Sequence, residues 1–156
     1  MKIVLYQVGK TTERYLLDGI DIYLRRLEHY ADFSIITLPE LRNAGSLSIE
    51  EQRRRDSDVI LKALQPGDDV ILLDERGCVF SSPEFAFFLQ KRFSSSPRRI
   101  VFIIGGPYGF SKELYERASI QLSLSKMTFS HQMVRLFFVE QIYRAFTILR
   151  GERYHH

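Results

Sequence analysis

The chain has 156 residues, of which 45% are hydrophobic and 26% are charged, values typical of one globular domain of ordinary size. The single cysteine, Cys78, excludes an internal disulfide, and no apolar run is long enough to predict a transmembrane helix. Because residues 1–9 also lack the charged and apolar blocks of a signal peptide, we expect one cytoplasmic domain over residues 1–156, without a membrane partner.

The formal net charge of +3 is too small to identify a nucleic-acid-binding protein by itself. Its distribution is more informative, because residues 121–156 carry the whole surplus and three of the four histidines. The charged residues of this segment are Lys126, Arg135, Arg144, Arg150 and Arg153 against Glu140 and Glu152.

Taken in chain order, five short apolar runs predict buried strands at residues 3–8, 33–38, 70–73, 100–104 and 120–124. Five helices are predicted between and after them, over residues 12–28, 48–64, 111–118 and 131–149 and from Ser82 onwards. Residues 42–46, 74–77 and 94–97 are predicted loops.

Serines mark three of the predicted helix starts. Ser48 and Glu51 have the spacing of a capping box, and Ser111 is the expected N-cap of the short fourth helix. Ser82 followed by Pro83 predicts an N-cap with proline in the first turn.

The alternation of apolar strands with helices predicts an α/β fold with a mainly parallel sheet and helices on both faces. In open sheets of this kind, ligands bind beyond the carboxyl ends of the strands. Three strand ends are therefore of interest: Leu73-Asp74, Gly105-Gly106 and Leu124-Ser125.

Two segments at these strand ends are candidate binding elements. Residues 105–109, Gly-Gly-Pro-Tyr-Gly, would let backbone approach a ligand closely, although a plain turn explains them equally well. Residues 125–130 mix apolar and hydroxyl side chains without acidic groups, which suits an adenine-like ring. Without further information, an ordinary connection is the simpler interpretation of this second segment.

The last predicted helix is apolar all round, which predicts a buried helix and, in so small a protein, a homodimer interface. Glu140 and Arg144 have the spacing of a structural ion pair. His131 and Arg135, which share a face next to the 125–130 segment, are the better functional candidates.

Other charged motifs have simpler explanations. Acidic neighbours make Arg53-Arg54-Arg55 a solvated helix face rather than a phosphate patch, and Asp74-Glu75 is typical of turn chemistry. No Cys/His cluster has metal-ligand spacing, so no metal is expected.

Taken together, these residues resemble the RlmH family of the SPOUT superfamily, small enzymes that methylate N3 of a pseudouridine in large-subunit (23S) ribosomal RNA. The resemblance covers the full length, and the ordered set of motifs is specific although no single one is. The matching segments are Val8-Gly9-Lys10, Tyr23-Leu24-Arg25-Arg26-Leu27, Leu72-Leu73-Asp74, Ile103-Ile104-Gly105-Gly106-Pro107-Tyr108-Gly109, Leu122-Ser123-Leu124-Ser125, Thr128-Phe129-Ser130-His131-Gln132-Met133-Val134-Arg135, Glu140-Gln141-Ile142-Tyr143-Arg144-Ala145 and Tyr154-His155.

The resemblance implies a SPOUT-type fold with a C-terminal trefoil knot, a homodimer, and S-adenosylmethionine bound in the loops of the knot. It places the cofactor against the three strand ends named above. The implied cofactor-binding residues are Leu73, Gly105, Gly106, Leu124, Ser125, Lys126, Met127, Thr128, Phe129 and Ser130.

The substrate side of the site is expected at His131, Arg135, Tyr154 and His155. Arginine would contact phosphate, tyrosine could stack on a base, and histidine could help to remove the ring proton. The modest charge and small size predict that the RNA is recognised within the ribosome or its large subunit. A non-catalytic ribosome-binding factor of the same fold is the alternative. An enzyme for a free nucleotide is disfavoured by the basic tail, residues 150–156.

Overall fold

The protein is described by a computed structural model over residues 1–42 and 44–156. Its strands are β1 (Lys2–Val8), β2 (Asp32–Leu38), β3 (Asp68–Val79), β4 (Arg99–Ile104) and β5 (Ile120–Ser123). Its α-helices are α1 (Arg14–Leu27), α2 (Ile49–Ala63), α3 (Ser82–Ser94), α4 (Lys112–Arg117) and α5 (Met133–Leu149). Part of the predicted 42–46 loop, Asn43, lies outside the described residues.

The strands form one sheet in the order β2-β1-β4-β3-β5, and every neighbouring pair is parallel. The prediction of a parallel sheet is therefore confirmed. Because all strands point the same way, their carboxyl ends share one edge, and β4, β3 and β5 are consecutive there. The three strand ends selected from the sequence thus lie side by side.

Helices cover both faces of this sheet, as predicted. Alternate residues of β1 point to opposite faces, so that Ile3 and Leu5 join one apolar cluster while Val4 and Tyr6 join the other. The first cluster includes residues of α1, α3 and α5, and the second includes residues of α2 and α4. No helix in the described part of the chain is long and apolar enough to cross a membrane.

The third strand is longer than predicted. We expected it to end at Leu73, but β3 continues to Val79, and both Leu73 and Cys78 are paired with Leu122 of β5. Residues 74–77 therefore bulge from the ladder, which is why they look like a loop in the sequence. Gly77 is required here, because a Cβ would lie 2.5 Å from the carbonyl carbon of Gln121.

Helix starts differ in detail from the prediction, and α1 begins at Arg14, two residues after its predicted start. The N-cap of α3 is Ser81 rather than Ser82, and it forms a complete capping box with Glu84. Ser48 caps α2 as predicted, but the carboxylate of Glu51 binds Arg54 and Arg55. Helix α5 begins at Met133, two residues after the predicted start.

At the amino edge of the sheet, opposite the candidate site, Asp68 and Arg99 form a buried ion pair. Arg99 donates to both carboxylate oxygens of Asp68, at 2.8 and 2.6 Å, and to the hydroxyl of Tyr6 at 2.9 Å. Burial raises the pKa of Asp68, but the hydrogen bonds from Arg99 and the Gln65 backbone outweigh it, and the net pKa is lowered.

We expect Asp68→Asn to lower the free energy of unfolding by about 3–5 kcal/mol, because Arg99 would remain buried without its counter-ion. Since the folded-state pKa of Asp68 lies below its unfolded value, its stabilisation is present at neutral pH and lost as the pH falls through the folded value. Urea denaturation from pH 7 to pH 3 measures both effects. Asp58→Asn, which removes an exposed partner of Arg54, is the control; equal losses in both variants would contradict the prediction.

Candidate active site

The carboxyl ends of β3, β4 and β5 open into a cleft of about 760 Å³, a size typical of small-molecule sites. We call it the strand-end cleft. Of the residues singled out from the sequence, the cleft is lined by Leu73, Gly105, Gly106, Leu124, Ser125, Met127, Thr128, Phe129, Ser130 and His131. Lys126, Arg135, Tyr154 and His155 are not among its lining residues.

Close packing explains the glycine at the end of β4. A Cβ on Gly105 would lie 2.6 Å from a ring carbon of Phe110, so a larger residue would displace that ring. A Cβ on Gly106 would meet only the Asp56 carboxylate, at 3.2 Å. Burial and the charge of Glu40 raise the pKa of Asp56. This titratable group beside the cleft had no distinctive motif in the sequence.

The segment 124–130 is held in place by hydrogen bonds of three hydroxyl groups, those of Ser123, Ser125 and Thr128. Ser123 donates to the carbonyl of Ser125 at 2.7 Å, and the Ser125 hydroxyl accepts from the backbone of Met127 at 3.0 Å. Thr128 donates to the Glu75 carboxylate at 2.9 Å, which links this segment to the bulge of β3. Two of the three strand ends are therefore joined directly across the cleft.

Asp74 is engaged in local structure. Its carboxylate accepts from the backbone of Arg76 at 2.9 Å, as the turn interpretation predicts, and from the hydroxyl of Tyr115. Burial, followed by the hydrogen bond to Asp74, raises the pKa of Tyr115. This contact attaches α4 to the bulge that forms one wall of the cleft.

His131 and Arg135 occupy different environments. His131 is exposed at the cleft, whereas Arg135 has no exposed surface. The guanidinium of Arg135 donates to the carbonyls of Val8 and Gly9, at 2.9 and 3.0 Å, and to the carbonyl of His131 at 3.0 Å. The expectation that Arg135 contacts phosphate is therefore not supported: in this structure the side chain holds backbone around the cleft and presents no surface to RNA.

The tail, residues 150–156, packs against helices of its own chain. Tyr154 donates to Glu140 at 2.9 Å, and the His155 ring nitrogen Nδ1 lies 3.2 Å from Arg144. Glu140 and Arg144 form the predicted ion pair, 2.6 Å apart. Burial, the hydroxyl of Tyr23 and the carboxylate of Glu140 all raise the pKa of Tyr154.

Glu140, which binds Tyr154 of the tail, also lines a different cavity of the protein. This second cavity has a volume of about 250 Å³, and its walls also include residues 122–125 and Phe129. These residues also line the strand-end cleft, so the two cavities adjoin. Within the described ranges, no group of three or more His, Cys, Asp or Glu side chains is placed to hold a metal ion.

A parallel α/β sheet with a cleft across three adjacent strand ends is the arrangement in which open α/β proteins bind small molecules. Residues 1–155 match the family model described as predicted SPOUT methyltransferase, and the chain belongs to the SPOUT methyltransferase family. Membership implies a methyl donor of the S-adenosylmethionine type.

Curated relatives match the chain from end to end. It is 51% identical over 156 residues to the ribosomal RNA large subunit methyltransferase H of Parabacteroides distasonis, which covers 100% of this chain and 99% of that protein. Proteins of the same name from Porphyromonas gingivalis and Christiangramia forsetii are also each 51% identical, with the same coverage.

We expect Gly105→Ala to lower the free energy of unfolding by about 1–3 kcal/mol, the usual range for overpacking, because the new methyl group must displace the Phe110 ring. Gly106→Ala is the matched control, with an expected loss below about 1 kcal/mol because a carboxylate end moves easily. Urea denaturation compares the two variants. Equal stability of both would show that the ring has room to move.

We expect Thr128→Val to weaken the binding of S-adenosylmethionine about two- to tenfold, the value of one hydrogen bond, because the 124–130 segment would lose its link to Glu75. Isothermal titration calorimetry measures the affinity. Glu75→Gln keeps an acceptor for the Thr128 hydroxyl and should bind nearly as the unchanged protein does. An unaltered affinity of Thr128→Val would show that the hydrogen bond between Thr128 and Glu75 does not support cofactor binding.

Proposed function

We propose that this methyltransferase transfers a methyl group from S-adenosylmethionine to N3 of a pseudouridine in large-subunit (23S) ribosomal RNA. The observation that carries the proposal is the strand-end cleft, in a chain that is similar over its whole length to proteins named ribosomal RNA large subunit methyltransferase H. The substrate would be the RNA in the assembled ribosome or its large subunit, which places the enzyme in the cytoplasm.

The residues of the cleft fit the proposed cofactor. Leu73, Leu124 and Phe129 offer apolar surface for an adenine ring, and the backbone of Gly105 and Gly106 carries no side chain that would block a close approach. Lys126 does not line the strand-end cleft, so we expect it to support the cofactor site through its backbone, as part of the 125–130 segment. S-adenosylmethionine supplies a methyl group activated by a positively charged sulfur.

The protein's own task is to orient the target base and to accept its ring proton. His131 is the candidate on the cleft side, because it is exposed and lines the cleft. Arg135 acts as a positioning residue, because it binds the backbone carbonyl of His131. Tyr154 and His155 remain candidates for stacking on a base and for moving the proton.

A homodimer would bring the tail to a cofactor. No residue of the tail lines the strand-end cleft of its own chain. Tyr154 and His155 would therefore reach a strand-end cleft in the second subunit of a dimer. Helix α5 supports such an interface, because it is apolar and leaves Phe137 39% exposed, close to Phe129 at a ring distance of 4.9 Å. The trefoil knot implied by the family resemblance is part of this proposal.

We expect a variant lacking residues 152–156 to bind S-adenosylmethionine normally and to lose methyl transfer, because the tail lies outside the cleft that would hold the cofactor. Mixing it with a subunit whose 125–130 segment has been altered to abolish S-adenosylmethionine binding should restore part of the activity if each tail serves the partner's cleft. Absence of recovery in verified mixed dimers would argue against sharing.

Mass spectrometry of ribosomal RNA tests the proposed function most directly. A strain that lacks the protein should miss one methyl group on one pseudouridine, and the purified enzyme should restore it on large subunits or ribosomes faster than on naked RNA fragments. A protein that bound ribosomes but not S-adenosylmethionine would be a non-catalytic factor instead.

A further inference from the structure

A third cavity, of about 530 Å³, adjoins the strand-end cleft on the side of α2 and α4. Arg53, Arg76 and Tyr108 line both the strand-end cleft and this third cavity, whereas Lys112 lines only the third cavity. We call this space the cationic hollow, because its walls carry Arg53, Arg76 and Lys112 against the single carboxylate of Glu116. It therefore extends a positively charged surface away from the place where a cofactor would sit.

The cations of the hollow are only loosely engaged. Lys112 lies 3.9 Å from Glu116 and has a side chain 90% exposed, so it can turn to another anion at small cost. Arg76 has a side chain 78% exposed; it donates to the Tyr115 hydroxyl at 3.3 Å and lies 3.7 Å from the buried carboxylate of Asp74. Its guanidinium carries further N–H donors beyond the one that binds Tyr115.

Arg53 differs from the two arginines that follow it. Arg54 and Arg55 both bind the Glu51 carboxylate, at 2.6 and 3.1 Å, and form the solvated helix face predicted from the sequence. Arg53 instead donates from Nε to the carbonyl of Tyr108 at 2.8 Å. Among the residues that the structure describes, its terminal nitrogens have no hydrogen bond, and they remain available to a phosphate.

We propose that the cationic hollow binds phosphate groups of the RNA strand beside the base that enters the strand-end cleft. This inference rests on the proposed function, and it names the surface through which the RNA backbone is held. The ring of Tyr108, which is 41% exposed between the two spaces, supplies a stacking surface for a neighbouring base. The hollow lies on the face of the sheet opposite α5, so the proposed dimer interface leaves it open.

The salt dependence of binding tests this proposal. Binding of unmethylated large subunits should weaken as salt rises, and Arg53→Gln and Lys112→Gln should each reduce the slope of log affinity against log salt by about 0.7–0.9, the value for one lost phosphate contact. The KM for large subunits should rise about tenfold in each variant, the loss expected for one charged hydrogen bond. The affinity for S-adenosylmethionine should stay unchanged in Lys112→Gln, because Lys112 lines only the cationic hollow.

Arg54→Gln is the matched control, because it removes the same charge from the same helix at a side chain that faces Glu51. It should leave the KM and the salt slope close to those of the unchanged protein. Unaltered slopes in Arg53→Gln and Lys112→Gln would overturn the proposal. So would a loss of S-adenosylmethionine affinity in both variants without a change in slope, which would assign the cations to the carboxylate of the cofactor.

Failure of the proposed function gives a different result. An unchanged protein that transferred no methyl group to ribosomal RNA would refute that function, while the salt slopes of the protein and its variants would still decide whether the hollow holds phosphate. Thermal unfolding of each variant excludes a folding defect as the cause.

Discussion

Burial of apolar side chains on both faces of a parallel sheet is the constraint from which the rest of this structure follows. Val101 and Phe102, neighbours in β4, belong to different apolar clusters, so helices must lie on each side of the sheet. Connections that pass over the faces bring every strand back in the same direction. All carboxyl ends then meet at one edge, and the cleft forms there because the chain turns away between strands and helices.

The cleft is built by contacts between segments distant in sequence. Thr128 meets Glu75, and Tyr115 meets Asp74, so the bulge of β3 is tied both to the segment after β5 and to α4. Arg135 adds a third connection by joining the end of β1 to the backbone before α5. In each of these contacts a polar side chain binds either backbone or another side chain. The contacts therefore hold the walls of the cleft in place and leave its interior open.

Charge is divided between structure and surface. Asp68 with Arg99, and Glu140 with Arg144, are paired at short distances and in partly or fully buried positions. Around the cleft, the side chains of Arg76 and Lys112 are themselves exposed and lie 3.7 and 3.9 Å from their carboxylate partners. Buried charges need a partner because desolvation is expensive, whereas exposed cations stay available for an anionic ligand. This division explains how a chain with a net charge of only +3 places three cations and one carboxylate in the walls of the cationic hollow.

Most of the fold was predictable from local patterns. Apolar runs located all five strands, four of them to within one residue at each end, and Ser111 marked its helix correctly, because burial and capping depend on residues close together in the chain. The meeting of three strand ends at one cleft was predictable because parallel strands place their carboxyl ends at one edge of the sheet. Residues 74–77 were not predictable as part of β3, since Gly77 is required only by the approach of Gln121 from another strand.

The sequence by itself determined the order of strands and helices along the chain, the edge of the sheet at which the cleft lies, and the family. Tertiary structure alone decided what the charged residues do. Arg135 and Arg53 are both arginines of a helix, yet one is sealed against backbone carbonyls and the other lines an open hollow. The physical reason is that desolvation and partner distance depend on segments far away in the chain, which no local pattern records.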